Sequence, residues 1–492
     1  MFCFVFLREK LAYTFVHMED VIVIGGGVIG AFIARNLSRY ELSTLVLEKE
    51  NDVGNVTSMA NSAIVHSGYD PVPGTKKARF NVEGNKMYPE VCKELDVDFE
   101  QCGSLTIALN EDQKKVLEDL ALRAKENGVE AKLLSGEEAR AMEKNLSPDC
   151  VAALLCPTAG IVNPFNLVAH CFENAIDNGV KLHLGEEVVD VKEENGTLKV
   201  KTKKDTYEAK VVINAAGLKS EEFARMMDDI SWTINPRKGE YYVLDHFDPS
   251  FVNHVLFPLP SEKGKGILVI RTTSNDYLIG PSSEYNNDKE DMSTDSPTLG
   301  KVKAEASEMV RNIPFYEQIR VFAGLRATPS THDFIIEPSK SHPHFINVAG
   351  IESPGLASSP AIGKYVVEEL VSKILPLKAK ASYKKEVRPY VHPNKMSAEE
   401  RDTLIKSNPD YGDIICNCEK VSLGEIKDVL SRSVPCRTIK AVKKRTRAGF
   451  GKCQGGFCQP KVLLLLAKYF GVSPLDILYD KDGSNILKEV SK

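Results

Sequence analysis

Short aliphatic runs and amphipathic stretches alternate along roughly the first three-quarters of the chain. Residues 21–24 (VIVI) are a β-branched run, the mark of a strand buried on both faces. Glycines, a helical stretch through Leu37 and a second apolar run at 44–47 follow, predicting strand, turn, helix and strand. Asn163 and Pro164 supply an N-cap and a first-turn proline for a later helix, which Gly179 closes. Ser135 and Glu138 have capping-box spacing for a shorter one. Positions 235–244 (NPRKGEYYVL) alternate like a half-buried strand, with Glu240, Tyr242 and Leu244 on one face; alternation alone leaves open which face is inside. Beyond Leu375, prolines and charges break any period over 377–411, a linker pattern with one short helix near 398–406. No run approaches the roughly 20 apolar residues that cross a bilayer. Residues 1–17 are apolar in places but broken by Arg8-Glu9-Lys10, reading as a weak organelle-targeting leader or an upstream start before Met18.

Composition changes this picture little. The chain has 492 residues, 42% hydrophobic and 27% charged, with a formal net charge of −5. At this size that charge is mild and gives no sign of a nucleic-acid binder as a whole. Eleven cysteines are too few for a disulfide framework at this length. Cys3, Cys92, Cys102, Cys150, Cys156 and Cys171 are scattered, whereas Cys416, Cys418, Cys436, Cys453 and Cys458 crowd together.

Two motifs carry chemistry. Gly25, Gly27 and Gly30 form G-x-G-x-x-G at the turn between first strand and helix, and Glu48 ends the second strand. The glycines allow a tight turn, close approach of backbone to a pyrophosphate and close helix packing; the acid accepts from a ribose. Near the other end, C-x-C (Cys416, Cys418) and C-x-x-x-x-C (Cys453, Cys458) provide two close thiolate pairs. Glycines 449, 451, 455 and 456 surround the second pair, a loop suited to turning N–H groups toward sulfurs. Spacing alone leaves a [2Fe-2S] cluster, tetrahedral zinc or unligated thiols; Cys436 has no partner at ligand spacing.

The segment TSMANSAIVHSGYDPVPGTKKARFNVEGN (57–85), with VVINAAGL (211–218), FAGLRA (322–327) and INVAGIESPGLASSPAIG (346–363), resembles the D-amino-acid-oxidase-like superfamily of FAD enzymes. Within it the likeness is to glycerol-3-phosphate and L-2-hydroxyglutarate dehydrogenases. Residues 412–470 resemble the bacterioferritin-associated-ferredoxin-like [2Fe-2S] domain. The resemblance implies an α/β protein: a Rossmann-like FAD-binding domain with an inserted antiparallel-sheet substrate domain (19–376), then linker 377–411. A small α-helical [2Fe-2S] domain (412–480) and a tail (481–492) follow, with 1–18 as an N-terminal extension. Thr57, Ser58, Asn61, Ser62, Val188, Ala216, Gly217, Gly350, Gly355 and Leu356 are then expected at the FAD, beside the glycine motif and Glu48.

His66 is the candidate base, by residue type and by its place in the loop expected to pass the flavin. Flavin packing or covalent attachment are its alternatives. Tyr69 is placed in the same pocket. Arg326 is the candidate anion anchor, because a guanidinium fork matches carboxylate or phosphate, with a structural ion pair as the alternative. Lys238 and Tyr242 are candidate pocket residues. The basic run Arg437, Lys440, Lys443, Lys444, Arg445, Arg447 and Lys452 is read as offsetting cluster charge and steering an acidic redox partner or the flavin domain. The expected activity is oxidation of a small anionic alcohol, glycerol 3-phosphate first and L-2-hydroxyglutarate second. Electrons would leave through the cluster to an external acceptor or redox protein. A non-catalytic flavin and iron–sulfur relay is the competing class. A cytoplasmic protein with at most peripheral membrane contact and no nucleic-acid partner is expected.

Overall fold

The computed structural model describes residues 18–229, 231–260 and 264–489, so the question of a leader at 1–17 lies outside the described residues. Met18–Ile24 pairs in parallel with Thr44–Leu47 on one side and Thr206–Asn214 on the other. Lys181–His183 and Phe345–Ala349 extend this parallel core, and the antiparallel hairpin Val188–Glu194/Thr197–Thr202, with Ile335–Pro338 antiparallel to Phe345–Ala349, completes an eight-stranded sheet. Met18–Ile24, Thr44–Leu47 and Phe345–Ala349 are buried along nearly their whole length, which is why they read as continuous apolar runs.

Behind the sheet, three helices cross closely because small residues lie at the contacts. A Cβ at Gly363 would sit 2.7 Å from the Phe32 backbone, and one at Gly84 would sit 2.1 Å from the Ala357 carbonyl oxygen. Helices Val28–Leu37, Lys76–Glu94 and Gly355–Tyr365 therefore interlock over a core containing Phe32, Phe80 and Tyr88. Truncating Phe32 to alanine would cost about 3–5 kcal/mol.

A nine-stranded second sheet forms the other half, built on Ile234–Leu244 paired with Gln318–Pro329. It is antiparallel as expected, apart from the parallel pair Val255–Phe257 and Ser104–Ala108. The Asn163 cap, the Ser135–Glu138 capping box and a helix at Ala398–Ser407 all form where the sequence places them. The segment after Leu375 is not a free tether. Lys380 donates to the Asn178 carbonyl, the Lys384 carbonyl accepts from Asn174, and Arg35 reaches the Lys385 carbonyl.

The C-terminal part comprises hairpin Ile414–Cys416/Val421–Ser422 and helices Leu423–Leu430, Ile439–Thr446 and Gln459–Phe470, around Ile426, Val442 and Leu466. No helix among the described residues is long and apolar enough to cross a membrane.

Candidate functional site

A cavity of about 730 Å³ runs from the glycine motif to the inner face of the second sheet. Gly25 has φ +112°, and a Cβ there would meet the Ala215 carbonyl oxygen at 2.4 Å. A Cβ on Gly30 would lie 2.0 Å from the Gly25 oxygen. Only glycine allows the turn to press against strand Thr206–Asn214 and the helix to sit on the turn. Helix Val28–Leu37 has a glycine N-cap, so its first N–H groups face the cavity without a side-chain cap of their own. Ser58 Oγ accepts from Val28 N–H at 2.9 Å, and Glu48 accepts from Gly26 and Glu50 N–H groups. Thr57, Asn61, Ser62, Val188, Ala216, Gly217, Gly355 and Leu356 complete this wall.

At the far end, cations gather around a neutral histidine. His66 Nδ1 is 3.2 Å from Lys265 Nζ and Nε2 is 3.4 Å from Ser353 Oγ. Burial, reinforced by the Lys265 charge, holds its pKa well below the ordinary value, so the imidazole is neutral. Burial also lowers Lys265, against the opposing pull of Asp70, 3.7 Å away. Arg326 donates through Nη2 to the Ser282 carbonyl at 3.2 Å, while Nη1 is buried with no hydrogen-bond partner. Glu352 gathers two more cations onto the same wall, pairing with Lys77 at 2.8 Å and Arg237 at 2.7 Å. Tyr241 hydrogen-bonds Ser62 at 2.9 Å and stacks on Phe322.

The four clustered cysteines meet in pairs. Cys418 and Cys453 sulfurs are 3.7 Å apart, and the Cys416 and Cys458 thiols neighbour each other closely enough to shift each other's titration. Each pair takes one residue from each motif. Zinc at about 2.3 Å from four sulfurs would hold all of them about 3.8 Å apart. Here no three of the sulfurs lie within 4.8 Å of one another. Two thiolates per iron in a two-iron centre fit this arrangement; a single tetrahedral ion does not. Gly451 lets the loop close, since a Cβ there would be 2.4 Å from Cys418 Cβ.

Residues 20–369 match the family model described as FAD dependent oxidoreductase, and 414–468 match the BFD-like [2Fe-2S] binding domain. The chain belongs to the FAD-dependent oxidoreductase family. A relative from Caloramator mitchellensis, named glycerol 3-phosphate dehydrogenase, is 43% identical over 96% of this chain and 99% of its own. The mitochondrial L-2-hydroxyglutarate dehydrogenase of Arabidopsis thaliana is 27% identical over 72% of this chain and 83% of its own. Among solved structures, dithionite-reduced L-alpha-glycerophosphate oxidase of Mycoplasma pneumoniae with FAD bound matches with TM-score 0.72 at 28% identity. That match covers 76% of this chain and 100% of the other.

In this FAD-dependent oxidoreductase the cavity fits its cofactor: a glycine cradle, a helix start with a glycine N-cap, Glu48 at the second strand and the Gly355 helix start at the far wall. Gly30 and Gly350 lie behind the wall, Gly350 at φ +65° against Pro329. Tyr69 is also set back, buried on Thr106 and edge-on to Phe257, with its phenol pushed well up by burial. Two further expected pocket residues are likewise off the cavity wall. Lys238 turns away to Asp291 at 2.9 Å, and Tyr242 packs on Phe315. The opposite face of that strand, with Arg237 and Tyr241, lines the cavity. Sequence reading missed Lys77, Arg237, Lys265 and Glu352. Lys265 had one signal, a glycine on each side; a Cβ on Gly266 would meet Pro258 at 2.4 Å.

The basic run lies largely against the flavin domain. Lys444 and Arg445 pair with Asp52 at 2.6 and 2.7 Å, Arg447 with Asp276 at 2.8 Å, and Lys452 with Glu317 at 2.9 Å. Phe450, between the two cluster-loop glycines, packs on Phe165.

Proposed function

We propose that this flavoenzyme oxidises glycerol 3-phosphate to dihydroxyacetone phosphate and delivers the electrons through its [2Fe-2S] centre to an external acceptor. The observation that carries this reading is the convergence of Arg326, Arg237, Lys77 and Lys265 on the wall that holds neutral His66. A small alcohol bearing a phosphate dianion matches that charge, with Arg326 Nη1 as the open donor. His66 takes the hydroxyl proton as the C–H hydride leaves to the flavin, and the contacts of Lys265 at Nδ1 and Ser353 at Nε2 hold the ring in place. Bound FAD supplies the two-electron acceptor, and the [2Fe-2S] centre takes electrons singly. Substrate charge works in favour of the base: an anion beside Lys265 cancels the cation that helps depress His66.

L-2-hydroxyglutarate, with two carboxylates, would meet the same cations, but the relative named for glycerol 3-phosphate is the more similar at 43% against 27% identity. A relay without substrate needs neither a buried base nor an open guanidinium donor. Turnover with an artificial acceptor tests the ranking. Glycerol 3-phosphate is expected to give the highest kcat/KM; a higher value for L-2-hydroxyglutarate, or no turnover with either, would reject the reading.

A further inference from the structure

We propose that the cluster-bearing domain completes the FAD site by clamping, through Lys444 and Arg445, the loop that joins Glu48 to Ser58. Glu48, Lys49, Gly54, Asn55, Val56, Thr57 and Ser58 all line the cofactor cavity. The outward side of the same loop carries Asp52, a carboxylate 1% exposed in the body of the protein. Both of its oxygens are held by the other domain. Arg445 donates Nη2 to Oδ1 at 2.7 Å and Nη1 to Oδ2 at 3.0 Å, a two-point fork. Lys444 Nζ lies 2.6 Å from Oδ2 and also donates to the Val53 carbonyl at 3.1 Å and to Asn55 Oδ1 at 3.2 Å. Asn55 Nδ2 in turn donates to Asp480 Oδ1 at 2.8 Å, and Asp480 pairs with Lys440. On the inner side Gly54 N–H donates to the Gly26 carbonyl at 2.9 Å, tying the loop to the glycine motif.

The loop is thus held between the glycine turn and a second domain, and its grip on the cofactor depends on both. Two cations facing one carboxylate leave a positive charge in excess behind the loop, favourable to a pyrophosphate on the other side. Asp52, Lys444 and Arg445 are positioning residues: none of them lines the cavity. By linkage, FAD binding and domain docking strengthen each other by the same factor. Docking also sets Phe450 of the cluster loop against Phe165, so the contact that secures the flavin brings the cluster to the flavin domain.

The test uses full-length protein with its cluster assembled, titrating FAD into deflavinated samples by flavin fluorescence. Asp52→Asn is expected to weaken FAD by about tenfold or more, as when a buried charge loses its partner, with cluster absorbance and iron content unchanged. Arg445→Gln is expected to do the same, and the double variant to be no weaker than Asp52→Asn by more than about twofold, because the residues act as a unit. Lys444→Met leaves the Arg445–Asp52 fork in place and guards against misfolding of Asp52→Asn. It is expected to weaken FAD several-fold, about fivefold, with Lys444→Arg restoring affinity. Affinity within about twofold of the parent in Lys444→Met and in any folded Asp52→Asn, or additive losses in the double variant, would overturn the clamp. No substrate enters the measurement, so its failure leaves the glycerol 3-phosphate reading untouched.

Discussion

Replacing Arg326 by methionine keeps length and apolar bulk while removing charge and fork. In the free protein this guanidinium is desolvated, its pKa lowered chiefly by burial against the opposing pull of Tyr241, and Nη2 donates to the Ser282 carbonyl. The variant should therefore unfold at or slightly above the parent's temperature. Its cost falls on the substrate. The buried Nη1, without a partner of its own, is the donor a phosphate would engage, and one charge-assisted hydrogen bond contributes about 1.5–3 kcal/mol. Adding the residual attraction of the cation, screened by Arg237, Lys77 and Lys265, gives about 2–4 kcal/mol in all. That is a fall of about 30- to 900-fold in kcat/KM for glycerol 3-phosphate. The assay compares glycerol 3-phosphate with glycerol under one artificial acceptor, since glycerol lacks the dianion. The loss on glycerol is expected to stay within about threefold. An equal loss on both substrates, or a loss under about fivefold on glycerol 3-phosphate, would refute the anchor role of Arg326.

Other variants probe separate contacts. Lys265→Met removes the cation that helps depress His66, so the acid limb of the kcat/KM profile, expected below pH 6.5 in the parent, should shift upward; an unmoved limb would mean that Lys265 does not govern His66. Glu352→Gln strips the common partner from Lys77 and Arg237, costing about 3–5 kcal/mol at neutral pH. Because those cations depress the Glu352 pKa below 4.5, the difference in unfolding free energy should shrink as pH falls through the carboxylate range; a pH-independent difference would contradict the ion-pair account. Cys453→Ser should abolish the cluster absorbance while leaving the flavin spectrum, and Cys436→Ser, packed beside Asp52 and Arg445, should keep both; loss of iron from Cys436→Ser would reassign the ligands.

The glycine motif, Glu48 and the cysteine pairs were readable because their chemistry fixes residue type and short spacing together. His66 and Arg326 followed from type and place. What escaped was contact made only by folding. Lys77 and Arg237 become cavity cations because Glu352, distant from both in the chain, gathers them. Strand 234–244 displayed its alternation plainly, but the inner face is set by pairing with Gln318–Pro329, and the choice fell on Arg237 and Tyr241 instead of Lys238 and Tyr242. The basic run likewise needed Asp52, nearly 400 positions away, to become part of an interface.

The central claim is that one chain oxidises glycerol 3-phosphate at its flavin and then reduces its own iron centre. Anaerobic rapid mixing of the holoprotein with glycerol 3-phosphate, followed by visible absorbance and by electron paramagnetic resonance of quenched samples, tests it directly. The account predicts bleaching of the flavin band followed by the signal of a reduced [2Fe-2S] centre at one cluster per chain. A flavin that stays oxidised, or bleaching with no reduced cluster at any time, would contradict it.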